Sequence, residues 1–459
     1  MLKNFSLLVL IVLCAATGTH AQSKTNYKQL DSVLIKAHQL GVFNGNVLIA
    51  EKGKITYIKA IGQADASGNT QLSEDHLLHI GSIAKEFNAV GILMLKEQGK
   101  LKLDDPISMY LPDMPAWATK VKIRNLLQYT SGIPQSNWRA TKGDADNLKN
   151  LKLVTALNFE PGSKYMYNNN DVFLQRRIIE QITGLSYADF VQEQIFKPCG
   201  ITHAVVDPNE NTPLLARSFN DQKTADNMFY EIGGWPALTI RDFYKWSEAV
   251  NSFRLISPAS TQELLIPFSG DSQTGLGSGE MKGNALFKHR HDGTAKNYQA
   301  LLISDRTMTM ILMTNNKQGN LDAISKALYA TLQGKPNRGV KRAFLTDYAT
   351  QLEQLNGQQA LALYEKATTE QADRYDFADE TTLNEVGYAY LNKQKFADAI
   401  LVFTYNTKLF PKSGNMFDSL GEAYYTQGNK AKALENYTIA LKLDPTLESA
   451  KKMLQELKP

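Results

Sequence analysis

The chain is predicted to be α+β: a mainly antiparallel sheet flanked by helices, with a helical lobe inserted into it, followed by an all-α domain. Three observations predict this. Tyr298–Ser304 and Met308–Asn315 are largely apolar runs on either side of a turn at Asp305–Arg306, the pattern of adjacent antiparallel strands. Earlier in the chain, apolar residues recur at helical spacing, at Phe87, Val90, Ile92, Leu93 and Leu95, and again at Phe173, Leu174, Ile178, Ile179 and Ile182. Each stretch is stopped by a glycine, Gly99 or Gly184. Near the C-terminus, a shift of 34 residues superimposes Gly387 on Gly421, Ala389 on Ala423, Tyr390 on Tyr424, Ala399 on Ala433, Phe403 on Tyr437 and Pro411 on Pro445.

At the N-terminus, Lys3 precedes an apolar run from Leu7 to Ala16, and Thr19-His20-Ala21 before Gln22 offers a small-residue cleavage site. Residues 1–21 are therefore read as a signal peptide rather than a spanning helix, and the mature protein is expected in the periplasm or secreted. A lipid anchor at Cys14 is disfavoured by Leu13, which stands where a small residue is expected. Of the 2 cysteines only Cys199 would survive cleavage, so no internal disulfide can form and the core must be held by burial. No second run is apolar enough for a transmembrane helix after signal cleavage. Lys and Arg number 50 against 46 Asp and Glu, a formal charge of +4, and they are scattered rather than clustered, which argues against a nucleic-acid partner.

Three motifs carry the chemistry: Ser82-Ile83-Ala84-Lys85 (S-x-x-K), Tyr167-Asn168-Asn169 (Y-x-N) and His291-Asp292-Gly293 (H-x-G). Each recurs elsewhere, as in Ser449-Ala450-Lys451-Lys452, Tyr390-Leu391-Asn392 and His79-Ile80-Gly81, so context has to separate them. Ser82 opens a predicted helix, among unpaired N–H groups that favour negative charge, with Lys85 one turn on along the same face. A desolvated lysine there would have its pKa lowered and accept the serine proton. Tyr167 and Asn169 lie in a turn-rich loop leading into the second helix, where a phenol can carry a proton to a leaving group. Gly293 lets a ligand approach the backbone, and the N–H of Thr294 would be a second oxyanion donor beside that of Ser82. His289 and His291 share one strand face, as two metal ligands would, but no third ligand is evident from spacing, and neither metal nor cofactor is expected.

From Phe43 to about Asn316 the chain resembles the class C β-lactamase family of serine hydrolases, which includes penicillin-binding D-alanyl-D-alanine carboxypeptidases and esterases. Beyond the three motifs, Phe43–Ala50 with Gly53-Lys54-Ile55 is similar to its opening hairpin. His79–Ser82 with Gly99–Pro106 matches the nucleophile helix and its exit. Ile123–Gly132 resembles the next family loop, and Gly233-Gly234-Trp235 with Arg241-Asp242-Phe243 a late helix entry. The resemblance implies Ser82 as nucleophile, Lys85 as its proton acceptor, Tyr167 as the acid–base residue of the leaving group, and Asn169 as a residue that positions substrate and Lys85. His291 stands where better-known members have lysine, and Asp292 where serine or threonine is usual. A free imidazole titrates near about 6.5, so most of the positive charge that receives a substrate carboxylate is lost at this position. If Asp292 faces the cleft, it repels carboxylates as well, and simple esters or D-amino peptides are expected as better substrates than β-lactams.

The 34-residue period resembles tetratricopeptide repeats, paired helices with small residues where they cross and a proline ending each unit. Two units are placed at about 381–412 and 413–446, with a divergent helix pair before them, broken at Asn356-Gly357. The expected order is a signal peptide at 1–21, a hydrolase domain at 22–333 with its inserted lobe from Ser82 to about Ala249, a linker at 334–342, and a helical domain at 343–459. The function implied is an exported serine hydrolase that takes a small-molecule or peptide substrate, an ester, amide or D-amino peptide, through an acyl-enzyme on Ser82. The repeats would recruit a protein partner. The alternative is a catalytically silent cell-wall or peptide binding protein with the same repeat domain.

Overall fold

The computed structural model describes residues 27–457 apart from 271, 318, 319 and 338. The expected signal peptide and Cys14 lie outside the described residues. Among the described residues no helix is long and apolar enough to cross a membrane.

A six-stranded sheet lies at the centre of the hydrolase part, most of its inner strands apolar and buried on both faces. Its strands are β1 (Gly45–Glu51) and β2 (Lys54–Ile61) near the N-terminus and β6 (Ser278–Lys282), β7 (Ala285–Ala295), β8 (Tyr298–Asp305) and β9 (Met308–Thr314) late in the chain; β3 (Leu78–His79), β4 (Ala204–Val206) and β5 (Pro236–Leu238) form a second, small sheet in the order β3-β5-β4. The large sheet runs β2-β1-β9-β8-β7-β6 with every neighbouring pair antiparallel, so β1 pairs with β9 across most of the sequence. Val47, Ile49, Leu301, Met310 and Leu312 face one way and bury against helices Tyr27–Gln39 and Leu321–Leu332. Their alternates Leu48, Ala50, Ala300, Leu302, Ile311 and Met313 face the other way, into a core shared with helices Lys85–Glu97 and Ile240–Asn251.

The inserted lobe carries helix Asn169–Thr183 and the small sheet. Strands of two or three residues leave no alternation to read, which is why the small sheet was not anticipated. Helix Ile240–Asn251, which the expected lobe included in most of its length, instead lies against the large sheet, because Phe243, Trp246 and Val250 complete the same core as Leu48 and Ala300.

The C-terminal part is helical throughout. Helices Thr381–Asn392 and Phe396–Leu409 form one pair, Gly414–Gln427 and Lys430–Leu443 the next. A Cβ on Gly387 would lie 2.5 Å from the Phe403 ring, and one on Gly421 3.0 Å from the Tyr437 ring, so the repeated glycine marks the same helix crossing in both units. The divergent pair is present as Phe344–Leu352 and Gly357–Glu370, the second capped by Asn356 and Gln359 in a reciprocal capping box. Helix Glu448–Leu457 covers the far end through Ala450, Met453 and Leu454.

The segment expected as a linker is anchored at both of its faces. Val340 is buried with the helices of the sheet. Arg342, only 8% exposed, donates from Nη1 to Leu40 O and Gly41 O, both 3.3 Å, and pairs through Nη2 with Asp221 at 2.9 Å, while its Nε donates to Asp347 at 3.0 Å. One guanidinium thus ties the two parts together. Arg342→Ala should lower stability in urea by about 2–4 kcal/mol, since it leaves two carboxylates and two carbonyls without their donor in a largely shielded site. An unchanged unfolding midpoint would show that the two parts are not energetically coupled through this residue.

Candidate active site

Gly81–Ala84 is a single 3₁₀ turn that runs into helix Lys85–Glu97. Ser82 was expected to open the α-helix; it sits in this tighter turn instead, because Gly81 takes a left-handed φ of 55° directly after β3. Ser82 is not used as a cap, since the turn has no side-chain cap. Its Oγ accepts from Lys85 Nζ at 2.9 Å and from Tyr167 Oη at 3.0 Å.

The two partners of Ser82 are tuned in opposite directions. Lys85 is 3% exposed, and no carboxylate pairs with it among the described residues; its ammonium meets the faces of Trp235 at 4.7 Å and Tyr167 at 5.1 Å. Burial without a counter-ion lowers its pKa to about 7. Burial pushes the Tyr167 phenol up to about 12, helped by the charges of Tyr165 and Asp292 and opposed by the bond to Ser82. Near neutral pH the lysine therefore has access to its free-amine form while the tyrosine remains a phenol, so environment alone separates a base from an acid.

The Tyr167 loop is held by its asparagines. Asn168 donates to Ile133 O at 2.6 Å and caps helix Asn169–Thr183 by accepting from Asn170 N–H at 2.9 Å. Asn170 donates to Pro134 O at 2.8 Å, and Gln135 holds the carbonyl of Tyr167 itself at 2.7 Å. Asn169 is left over: its Oδ1 is shielded and unpartnered, and no hydrogen bond joins it to Lys85 among the described residues.

The third motif lies on the free edge of β7, since pairing with β6 stops at Arg290. A two-residue loop, Lys296–Asn297, closes the β7–β8 hairpin at Ala295 and Tyr298, which makes that pair a hydrogen-bonded one. Thr294, the next position, then turns its N–H away from β8 and toward the turn that carries Ser82. The two backbones touch there. A Cβ on Gly293 would lie 2.1 Å from Ile80 O and 2.7 Å from Ser82 N, and one on Gly81 would lie 2.4 Å from Thr294 N. Glycine at 81 and 293 allows the approach, which brings the backbone nitrogens of Ser82 and Thr294 close to the same contact.

His289 and His291 share one face of β7, as predicted; that face is turned toward the helices, and both residues bind Glu86. Glu86 accepts at Oε1 from His289 Nε2 at 2.8 Å and from His291 Nδ1 at 2.7 Å, and at Oε2 from Trp246 Nε1 at 2.7 Å. Burial would raise the Glu86 carboxyl, but the positive edge of His289 and the bonds from both imidazoles hold it well below the usual carboxylate range. The other nitrogen of His291 meets Gln273 Nε2 at 2.5 Å. Asp292 points to the opposite face of β7, as its cross-strand partner Leu301 requires. Its side chain is 60% exposed, with Arg290 Nη1 at 3.6 Å. The orientation that the sequence left open is thus the outward one, although the Asp292 charge still reaches Tyr167.

Glu86, Trp235 and Gln273 were the site residues without an assigned role in the sequence. An acidic residue inside the apolar face of a helix was the one signal available for Glu86. A cavity of about 490 Å³ opens beside the edge, lined by Gln273, Arg290, His291 and Asp292 among others. A larger one, about 630 Å³, lies at the far end of helix Lys85–Glu97 between Lys96, Arg124 and Glu263 and touches none of the motif residues, so size alone does not locate the motifs.

Comparison with known proteins gives the same picture. The Beta-lactamase family model matches residues 31–335, and the Tetratricopeptide repeat model matches residues 417–447. Penicillin-binding protein 4* of Bacillus subtilis (strain 168) is 29% identical over 357 residues, 69% of this chain and 77% of its own. Teichoic acid D-alanine hydrolase of Staphylococcus aureus is 27% identical over 253 residues, 53% of this chain and 62% of its own. The crystal structure of D-amino acid amidase from Ochrobactrum anthropi SV3, complexed with L-phenylalanine amide, shares the fold with a TM-score of 0.58 at 21% identity, over 67% of this chain and 99% of that one.

Proposed function

From the premise that the chain belongs to the beta-lactamase family of serine hydrolases, we propose that it is an exported enzyme that cleaves an ester, amide or D-amino peptide through an acyl-enzyme on Ser82. The observation that carries this reading is the convergence of a depressed lysine and a raised tyrosine on one hydroxyl, at 2.9 and 3.0 Å. Ser82 Oγ attacks the carbonyl as Lys85 Nζ takes its proton. The N–H groups of Ser82 and Thr294 receive the oxyanion. Tyr167 gives its proton to the leaving group and is reprotonated at the expense of the Lys85 ammonium. Water then repeats the sequence on the acyl ester and releases the acid, with both side chains restored.

The printed names of two similar proteins, a teichoic acid D-alanine hydrolase and a D-amino acid amidase, favour a D-configured acyl group here as well. Export to the periplasm or beyond follows from the N-terminal segment, and the repeats are the surface offered to a protein partner. At the third motif, an exposed Asp292 acts through water: at about 4 Å its repulsion of a carboxylate is roughly 1 kcal/mol, about fivefold, rather than the roughly 4 kcal/mol of a shielded site.

Ser82→Ala should lower ester turnover by on the order of 10³-fold or more and abolish labelling by a serine-directed phosphonate. Turnover near that of the wild type would remove the mechanism, and a wild type that neither turns over nor labels would favour the silent binding protein. With Lys85 titrating at about 7 as the base, kcat/KM should fall about tenfold per unit as pH drops below 7 and be level above it. Because Tyr167 holds its proton to about 12, no alkaline limb is expected through pH 10. A bell centred below pH 7 would contradict these roles. Asp292→Asn should improve kcat/KM for a cephalosporin relative to a neutral ester by no more than about fivefold; a gain of several hundredfold would mean that the carboxylate turns into the cleft.

A further inference from the structure

We infer that Glu86 is a positioning residue that holds His291 as its Nδ1–H tautomer, so that the third motif offers the cleft a hydrogen-bond acceptor where a lysine would offer a donor. The group it takes from a substrate is then an N–H or O–H donor, not a carboxylate. This deepens the hydrolase reading and rests on it for the meaning of the cleft, though not for the geometry itself.

The argument is one of donors and acceptors. An ionised Glu86 can only accept, so the two imidazole nitrogens at 2.8 and 2.7 Å from its Oε1, His289 Nε2 and His291 Nδ1, must both carry protons. On the far side of His291, the Gln273 amide turns its nitrogen to Nε2 at 2.5 Å; in that orientation the amide donates and Nε2 receives it as a lone pair. Both constraints select the same neutral form of His291. His289 is consistent with this: its Nδ1 is buried without a partner, which costs less as a lone pair than as an N–H. Trp246 fills the second carboxylate oxygen at 2.7 Å, so Glu86 has no open direction in which to turn. Carboxylate, imidazole and amide form a chain that runs from the core to the cavity at the β7 edge, and Gln273 is the group a substrate donor would displace.

His291 lies two residues before Gly293 on the same face of β7, so the carboxylate also clamps the strand edge to the helix that bears Lys85. The carboxylate therefore acts on the reaction through His291, without touching substrate.

The test is nitrogen-15 NMR of the full chain with labelled histidine, the His291 signals being identified by their loss in His291→Asn. At pH 8 the expected spectrum has a protonated Nδ1 and a bare Nε2 on His291. A protonated Nε2 on the wild-type His291, alone or with Nδ1, overturns the proposal whatever Glu86→Gln does. In Glu86→Gln, whose amide can donate to Nδ1, the Nε2–H form should appear, and kcat/KM per phosphonate-reactive serine should fall about tenfold or more, the size typical of losing a partner that orients an imidazole. A folded variant that keeps both the wild-type tautomer and the wild-type rate per reactive serine overturns it equally. If wild-type Ser82 fails to react with the phosphonate while the tautomer is as expected, it is the hydrolase reading that falls and the Glu86 arrangement that stands.

Discussion

Backbone contact between Gly81–Ser82 and Gly293–Thr294 is the constraint on which the rest of the site depends. No side chain lies between the two segments, so their spacing is set by main-chain atoms in van der Waals contact and not by rotamers. That spacing decides where two N–H groups point. The segments come from opposite ends of the hydrolase part, and the sheet brings them together: β7 is held by β8, and the nucleophile helix is packed onto the same face through the core that includes Ala300 and Leu302. The sheet and the helix packed on it therefore have to form before the backbones of Ser82 and Thr294 meet.

Two adjacent residues show how burial is used to sort charge. Lys85 and Glu86 are both buried, yet successive helix positions diverge by about 100°, so the lysine faces the cleft and the carboxylate faces the sheet. Glu86 finds three donors and stays an anion. Lys85 finds a hydroxyl and two aromatic faces and is pushed to about 7. Had they paired, a carboxylate at about 4 Å with an effective dielectric near 20 would have stabilised the ammonium by roughly 4 kcal/mol, about three pKa units, and returned the lysine to its ordinary range. Keeping the two apart is what leaves part of Lys85 as a free amine near neutral pH.

The sequence made legible what is local or strictly periodic. Ser82 and Lys85 are one turn apart, Tyr167 announces itself in an Asn-rich turn, and the alternation that predicts a shared face for His289 and His291 is met in β7. The repeat offset likewise lands on equivalent helix crossings, Gly387 on Phe403 and Gly421 on Tyr437. What stayed hidden depends on partners far along the chain. Glu86 meets His289 and His291 across 203 and 205 residues, and Trp235, just before β5, also meets the Lys85 ammonium from far along the chain. Arg342 read as part of a basic tether, since nothing local shows that Asp221 and the carbonyls of Leu40 and Gly41 will surround it.

The side of β7 to which Asp292 points was undecided for a different reason: the strand could be recognised, but its register could not. One residue of slip exchanges the faces of every side chain on a strand. The Lys296–Asn297 loop removes that freedom, because a two-residue hairpin fixes which pairs are hydrogen-bonded and therefore which residues face the helices. His291 and Asp292, neighbours in one motif, consequently act by different physics. The histidine faces inward, where a buried carboxylate dictates which nitrogen carries its proton, and it alters the kind of hydrogen bond available to a ligand. The aspartate faces solvent, so its charge is attenuated by water and reaches the cleft as a modest field. Replacing a lysine and a hydroxyl with this pair therefore changes recognition mainly through the direction of one hydrogen bond, and only secondarily through net charge.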